Sequence, residues 1–282
     1  VEDFERELKN QGIPLFLTPI RYDVVIYQVL YTSTHPSLGE VQASGLLFMP
    51  SGARYETFPV VGYHHGTQFR KKRKVPSGED FLAAAMCTDG YVVVKPDYIG
   101  LGEGEGLHPY HHWVSEALST VHMLRVLKDE MTPRLDLSLN WDMLFLTGYS
   151  QGGHATLAAH KYIQDSCQGE FTVRASSPMS GAYDLTGVQE EVMFQPYSHP
   201  AYLPYLFYGM NQFAGLFENS EDVFKQPYAD ILDAYFIDEQ QDGIHLNDTL
   251  PEVPATMIVD STLQAYKNDP NHPFRRVLEE NS

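Results

Sequence analysis

A short glycine–serine motif constrains the fold of this chain more than any other feature. Residues 148–152 read Gly-Tyr-Ser-Gln-Gly, between the apolar run Met143–Leu146 and the alanine-containing stretch Gly152–Ile163. An apolar run, a G-x-S-x-G pattern and a small-residue segment in this order predict a strand, a sharp turn and a helix. Strand and helix can approach closely there because Gly148 and Gly152 have no side chains. The motif therefore predicts that Ser150 is held out on a tight turn.

Further apolar runs predict the sheet to which this strand belongs. Tyr22–Ser33 and Val41–Pro50 contain β-branched and aromatic residues in loose alternation, which predicts an antiparallel pair. Shorter runs are typical of parallel strands that are buried on both faces, namely Phe58–Tyr63, Tyr91–Val94, Met143–Leu146 and Phe171–Ala175. Trp113–Lys128 has apolar residues at spacings of three and four, which predicts a helix. The alternation predicts an α/β fold, with a mostly parallel sheet and helices on both faces.

The character of the sequence changes after Gly187. Aromatic residues become dense, strand patterns vanish, and Ser220 is predicted to cap a helix that contains Phe224 and Tyr235. We therefore predict a core over residues 1–187 and a helical cap insertion over residues 188–275. Residues 276–282 are predicted to begin the return to the core.

Charge and cysteine content limit the partners of the protein. The chain has 19 Lys and Arg against 37 Asp and Glu, a formal net charge of −18, which disfavours nucleic acid and anionic lipid as partners. An uninterrupted apolar run of membrane-spanning length is absent from the sequence. The two cysteines, Cys87 and Cys167, are compatible with one disulfide or two buried thiols, but not with a cysteine metal site. Nothing in the sequence indicates the oligomeric state.

The exposed serine makes Ser150 a candidate nucleophile for acyl transfer, a reaction that also needs donors for the developing oxyanion. The backbone N–H of Gln151, directly after the nucleophile, is one candidate. The other is the N–H of Thr67, because the loop after the third strand reads His-His-Gly-Thr. The alternatives for His64 and His65 are metal binding or loop packing. This chemistry needs no cofactor and no metal.

Three more histidines lie close together in a second motif. His108, His111 and His112 fall in a His-Pro-Tyr-His-His segment just before the predicted helix. Such a cluster suggests a metal site, but its position beside Pro109 at a helix start favours structural packing. We therefore expect these histidines to pack in the fold.

With these motifs in place, the sequence resembles the α/β-hydrolase superfamily, and within it bacterial relatives of the secretory lipase family. The resemblance covers residues 20–185 and depends on HHGT at 64–67, PDYIGLG at 96–102, HPYHH at 108–112 and GYSQGGHAT at 148–156. It implies hydrolysis of small-molecule carboxylic esters, a helical cap after the sixth strand, and a secreted, periplasmic or envelope-attached location. It also implies a catalytic triad in the order Ser, Asp, His, in which Ser150 is the nucleophile.

The expected acid and base are where the sequence departs from this pattern. The resemblance implies an Asp and a His after two further strands, but only six strands are predicted before the chain ends. We therefore expect the C-terminal strands, with the acid and the base, to be missing. Asp184 is an alternative acid, and His199, His245 and His272 are alternative bases. The rival functions are a peptidase on the same fold and a non-catalytic binding or structural protein.

Overall fold

A six-stranded β-sheet forms the centre of the structure. The computed structural model describes residues 20–52, 56–72, 77–237 and 243–282, without the side chains of 237 and 243–245. The strands are β1 (Asp23–His35), β2 (Gly39–Ser51), β3 (Thr57–His64), β4 (Val92–Pro96), β5 (Ser138–Tyr149) and β6 (Val173–Met179). They lie in the order β1-β2-β4-β3-β5-β6. The β1-β2 and β2-β4 pairs are antiparallel, whereas β4, β3, β5 and β6 run parallel, which confirms the predicted mostly parallel sheet.

Strand β4 shows why the middle of the sheet is apolar on both faces. Val92, Val93 and Val94 are all completely buried. Val92 and Val94 join one hydrophobic cluster, while Val93 joins the cluster on the opposite face. Since successive side chains of a strand point to opposite faces, an unbroken run of valines fills both layers of the core.

Helices cover both faces of the sheet, as predicted. On one face lies α1 (Gly78–Thr88), which contributes Ala83, Ala84 and Cys87 to the core. On the other face lie α2 (Trp113–Val126) and α4 (Gln151–Ser166). Helix α2 continues through a π-helical turn, Leu127–Met131, into the short α3 (Thr132–Arg134).

Helix α1 was not identified from the sequence, and its start is set by local hydrogen bonds. The Ser77 side chain accepts a hydrogen bond from the Asp80 N–H, and the Asp80 carboxylate accepts one from the Ser77 N–H. This reciprocal pair satisfies two backbone donors that would otherwise lack partners. Asp80 also accepts a hydrogen bond from the buried Lys95 Nζ on β4 at 2.7 Å, so the same carboxylate fixes the helix to the sheet.

Beyond residue 187 the described chain is helical and has an aromatic core. The helices are α5 (Val188–Val192), α6 (Tyr202–Ala214), α7 (Tyr228–Ile237), α8 (Gly243–Thr249), α9 (Asp260–Asn268) and α10 (Pro273–Glu280), with 3₁₀ turns at Ser220–Asp222 and Pro254–Met257. Phe207 lies at the middle of this core, with its ring centroid 3.7 Å from that of Phe274 and 5.5 Å from that of Phe224. The division into a core over residues 1–187, a helical cap over 188–275 and a return to the core from 276 stays a prediction.

The predicted capping role of Ser220 was wrong. Ser220 opens a 3₁₀ turn, and α7 begins only at Tyr228. The Ser220 hydroxyl instead donates a hydrogen bond to Asp233 Oδ2 at 2.6 Å. Phe224, which was expected on the helix, lies before it and forms an isolated β-bridge with Ile258. A long-range pairing therefore displaced the local helix signal.

Strand β5, which leads to the G-x-S-x-G motif, is paired on both sides. It lies between β3 and β6, so it is one strand away from an edge of the described sheet. Cys87 and Cys167 are both free and buried, and they lie in clusters on opposite faces of the sheet. Among the described residues, no helix has the combination of length and hydropathy of a membrane span.

Candidate active site

The turn at Ser150 is strained and lies at the start of a long helix. Strand β5 ends at Tyr149, α4 begins at Gln151, and Ser150 between them has φ 60° and ψ −124°. A non-glycine residue at positive φ costs on the order of 1–3 kcal/mol and persists only where its surroundings hold it. The turn places the half-buried Ser150 side chain at the N-terminal end of a 16-residue helix. Partial positive charge at this end of the helix favours negative charge on a bound group.

The two flanking glycines are required because β3 passes very close to the turn. A Cβ at Gly148 would lie 2.6 Å from the His64 carbonyl oxygen, and one at Gly152 would lie 2.1 Å from the same oxygen. A Cβ at Gly152 would also lie 2.9 Å from the His65 carbonyl oxygen. These contacts are with backbone atoms, which cannot rotate away as a side chain can. Both glycines therefore allow the close approach that the sequence predicted.

The two candidate oxyanion donors lie on segments that meet at this turn. Gln151 is the first residue of α4, so its N–H has no partner within the helix. The loop after β3 lies against the same turn, since a Cβ at Gly66 would be 3.8 Å from Ser150 Cβ. The Gly66 N–H already donates to Glu79 Oε1 at 2.8 Å. The N–H of the next residue, Thr67, is therefore the candidate oxyanion donor in this loop.

A buried polar network lies directly behind the turn, and the sequence analysis missed it. The Gln151 side-chain Nε2 donates to Glu116 Oε1 at 2.8 Å and to His108 Nε2 at 2.7 Å. His154 Nδ1 donates to Glu116 Oε2 at 2.6 Å, and His154 Nε2 donates to the Asn281 carbonyl oxygen at 2.9 Å. All five residues are at least 95% buried. Two sequence signals were available: His154 lies one helical turn after Ser150, and Glu116 is a lone carboxylate in an apolar helix.

Burial and charge set the protonation states in this network. The Glu116 pKa is lowered to about 2: burial acts to raise it, but the His154 charge and the hydrogen bonds from His154 and Gln151 outweigh burial. The His154 pKa is raised, because the neighbouring Glu116 carboxylate overcomes the opposing effect of burial. Burial lowers the pKa of His108 to about 4, so this ring is neutral near pH 7. The network therefore contains a buried imidazolium–carboxylate pair beside a neutral imidazole.

His64 and His65, which were weighed as metal ligands, have other partners. His64 is completely buried and forms hydrogen bonds with Thr156 Oγ1 and Thr120 Oγ1, at 2.8 and 2.9 Å. His65 Nδ1 lies 2.7 Å from the Gly66 carbonyl oxygen. Both histidines serve the packing of the loop after β3.

One group of side chains does have the spacing of a metal site. His111, Glu116 and His154 each offer a ligand atom, and these atoms lie within 4.8 Å of one another. However, both His154 ring nitrogens already donate hydrogen bonds, to Glu116 and to Asn281. A metal would have to displace the proton between His154 and Glu116, whose ligand atoms are only 2.6 Å apart. This geometry favours a proton-bridged pair.

A cleft lined by Ser150 lies between the end of the sheet and the helices after residue 187. Its cavity volume is about 210 Å³, and its floor includes Ser150, Gln151 and His111. One wall is apolar and comes from the helical part of the chain after residue 187, including Met193, Leu203, Leu206, Phe274 and Leu278. A cleft with an apolar wall and a few polar groups at one end suits a small organic substrate.

The alternative acid and bases have structural partners or lie outside the described side chains. The Asp184 carboxylate accepts hydrogen bonds from the Gly187 and Val188 N–H groups, so it caps the start of α5. His272 caps α10, because its Nδ1 accepts a hydrogen bond from the Phe274 N–H. His199 is exposed, lines the cleft and bonds to Ser198. The side chain of His245 lies outside the described residues.

Comparisons with known proteins establish the class of fold. No family model matches the chain, and no curated protein matches it. A provisionally named hydrolase from Legionella pneumophila is 27% identical with a TM-score of 0.89; the match covers 99% of this chain and 75% of that one. The rice cell wall degrading esterase LipA from Xanthomonas oryzae, in a ligand-bound form, is 26% identical with a TM-score of 0.87. That match covers 99% of this chain and 74% of LipA.

A more distant neighbour supports the same fold. Candida antarctica lipase A is 15% identical with a TM-score of 0.63, and the match covers 94% of this chain and 62% of that one. Taken together with the sheet order, these structures show that the chain has the α/β-hydrolase fold, as predicted. The narrower resemblance to the secretory lipase family stays a prediction.

Proposed function

We propose that this protein hydrolyses carboxylic esters with Ser150 as its nucleophile. The observation that carries the proposal is the strained position of Ser150, at the N-terminal end of α4 and on the floor of the cleft. Strain of this kind clusters at active sites, because the surrounding structure must maintain it. The esterase and lipase names of the structural neighbours support an ester substrate for this chain.

The proposed reaction is a two-step acyl transfer. Ser150 Oγ attacks the ester carbonyl carbon while a histidine removes the hydroxyl proton, and the carbonyl oxygen becomes an oxyanion. The N–H groups of Gln151 and Thr67 donate hydrogen bonds to that oxyanion, assisted by the positive end of the α4 dipole. The intermediate collapses, the alcohol leaves with a proton from the histidine, and water then cleaves the acyl-enzyme by the same steps.

The proposal leaves the histidine and its aspartate partner unassigned. Among the described residues, no histidine forms a hydrogen bond with Ser150 Oγ. His108 and His154 are held in the network behind the turn, and His272 caps a helix. His199, which lines the same cleft from an exposed cap loop, is the described histidine that the proposal keeps as a candidate.

The experiment that tests the proposal is covalent labelling with a fluorophosphonate probe, combined with hydrolysis of p-nitrophenyl esters. We expect Ser150→Ala to abolish labelling and any ester turnover, without changing the melting temperature. Ser166→Ala, at the exposed far end of the same helix, is the matched control and should behave as wild type.

The rival functions predict different results in the same experiment. A peptidase would label through Ser150 but would cleave peptide p-nitroanilides faster than p-nitrophenyl esters. A non-catalytic protein would label equally in wild type and Ser150→Ala, or not at all. Either result would contradict the proposal.

A further inference from the structure

We infer that Glu116 and His154 form a buried ion pair that positions Gln151 at the oxyanion site. The inference deepens the proposed function, on which it partly rests, by assigning positioning roles to two residues that do not touch the substrate. The donors and acceptors of the network carry it, because they fix the Gln151 amide and the His154 Nε2 proton and leave one proton shared between His154 Nδ1 and Glu116 Oε2.

The charge on His154 follows from its partners. A backbone carbonyl can only accept, so the 2.9 Å contact with the Asn281 oxygen requires a proton on His154 Nε2. The 2.6 Å contact between His154 Nδ1 and Glu116 Oε2 holds one proton, and the lowered pKa of Glu116 together with the raised pKa of His154 places it on Nδ1. With both ring nitrogens protonated, His154 is an imidazolium ion, and Glu116 is its counter-ion.

The hydrogen-bond partners of Gln151 fix the orientation of its side-chain amide. His108 Nδ1 donates to the Ile99 carbonyl oxygen at 2.8 Å, so His108 Nε2 is unprotonated and accepts from Gln151. The second amide hydrogen of Gln151 goes to Glu116 Oε1. A flipped amide would turn its oxygen towards the carboxylate, and repulsion disfavours that state. Gln151 Oε1 accordingly has no hydrogen-bond partner among the described residues and is buried.

This network acts on the oxyanion site because the tethered side chain and the candidate donor N–H belong to one residue. Gln151 follows the strained Ser150 directly, and strained backbone persists only where the surroundings over-determine it. The carboxylate that holds Gln151 lies on α2, and His154 lies on α4. Two charge-assisted hydrogen bonds, from Gln151 and His154 of α4, therefore meet at one carboxylate of α2, and such bonds are stronger than neutral ones.

The pair also connects the turn to the last cap helix. Asn281 follows α10, and its backbone oxygen accepts from His154. Its side-chain Oδ1 accepts from the Trp113 N–H at the start of α2 at 3.0 Å, and its Nδ2 donates to the Val277 carbonyl oxygen at 2.8 Å. Asn281 is 2% exposed, so the end of α10 is fixed against both helices behind the site.

Two substitutions test the inference. Glu116→Gln keeps the shape of the side chain but removes its charge: the amide oxygen can still accept from Gln151, and the amide NH2 can donate to a neutral His154 Nδ1, so both charge-assisted hydrogen bonds become neutral and weaker. Gln151→Met removes only the tether and leaves the backbone N–H and the Glu116–His154 pair in place. We expect each variant to lower the second-order rate of fluorophosphonate labelling at Ser150 by about 10–100-fold, less than the loss of a whole oxyanion donor.

The matched control removes the same charge from an ion pair at the other end of α4. Glu170 accepts two hydrogen bonds from Arg125, at 2.7 and 2.8 Å, and this pair is partly exposed. Glu170→Gln should label within twofold of wild type. For p-nitrophenyl esters, the loss in Glu116→Gln should appear in kcat more than in KM, since the oxyanion forms only in the transition state.

A second measurement keeps the inference testable even if the wild type does not label, a result that would count against the proposed function alone. In ¹H–¹⁵N NMR spectra at pH 7, the wild-type His154 ring should show protons on both nitrogens. Glu116→Gln should lose this signature and shift the backbone amide signal of Gln151.

Three results would overturn the inference. Glu116→Gln and Gln151→Met could label at the wild-type rate, or the Gln151 amide signal could remain unchanged in a folded Glu116→Gln protein. Labelling or the NMR signature could also depend on Zn²⁺, being lost after treatment with EDTA and restored by the metal. That result would replace the proton-bridged pair with a metal site at His111, Glu116 and His154.

Discussion

Replacing Gly152 with alanine has two opposite effects on the free energy of unfolding: alanine has the better helix propensity, but its Cβ clashes with β3. Gly152 lies in the first turn of α4, and within a helix alanine is normally more stable than glycine by up to about 1 kcal/mol. Here, however, the new Cβ would lie 2.1 Å from the His64 carbonyl oxygen, whereas ordinary contact begins at 3.4 Å. The start of α4 must therefore move away from β3 by roughly 1 Å. Overpacking of this kind costs about 1–3 kcal/mol, so we expect Gly152→Ala to be destabilising despite its better helix propensity.

Urea unfolding monitored by circular dichroism measures the difference in unfolding free energy between Gly152→Ala and wild type. We expect the variant to have a lower urea midpoint and an unchanged slope. Gly169→Ala is the matched control: Gly169 has φ +83°, but its Cβ would meet nothing within 4 Å, so only the backbone cost of about 1–2 kcal/mol applies. A shift of 1 Å at a reacting group can cost about 100-fold in rate, so Ser150 in Gly152→Ala should react much more slowly with the fluorophosphonate probe. Gly169→Ala should react at the wild-type rate. An unfolding free energy equal to or above that of wild type in Gly152→Ala would refute this reasoning.

Two further predictions concern buried charge. Lys95→Met should lower the free energy of unfolding by about 3–5 kcal/mol, because it removes the cation that contacts the buried Asp80 carboxylate. Arg125→Met, which breaks a partly exposed ion pair, is the control and should cost under about 1 kcal/mol in the same urea titration. Acid should also destabilise the fold, because burial lowers the pKa of His64, His108 and His112 to about 4 and that of His111 to about 3. The unfolded chain binds these protons below about pH 6.5, so the stability that these four histidines contribute is complete above that pH and falls as the pH drops towards 4, by about 1.4 kcal/mol per pH unit for each histidine. A urea midpoint that stays constant between pH 7 and pH 5 would contradict this prediction.

The main features of the sheet could be predicted because they are local. Apolar runs of four to six residues locate the strands of a sheet buried on both faces, and the glycines around Ser150 mark a close approach of strand and helix that a side chain would block. Element ends were less accurate: the sixth strand was predicted as Phe171–Ala175 and is observed as Val173–Met179. The helix expected after Ser220 was displaced, because a β-bridge between Phe224 and Ile258 outweighed the local pattern.

The surroundings of the candidate nucleophile could be decided only by the tertiary structure. Ser150, Gln151 and Thr67 were selected from short motifs, since the chemistry of a serine turn needs neighbours at fixed spacings. His154 and Glu116 are 38 residues apart, and His154 and Asn281 are 127 residues apart, so no periodicity connects them. They meet because α2 and α4 pack on the same face of the sheet and α10 ends against both. Burial then makes each unpaired donor costly, and that cost favours a packing of the three helices in which the donors of this network have acceptors.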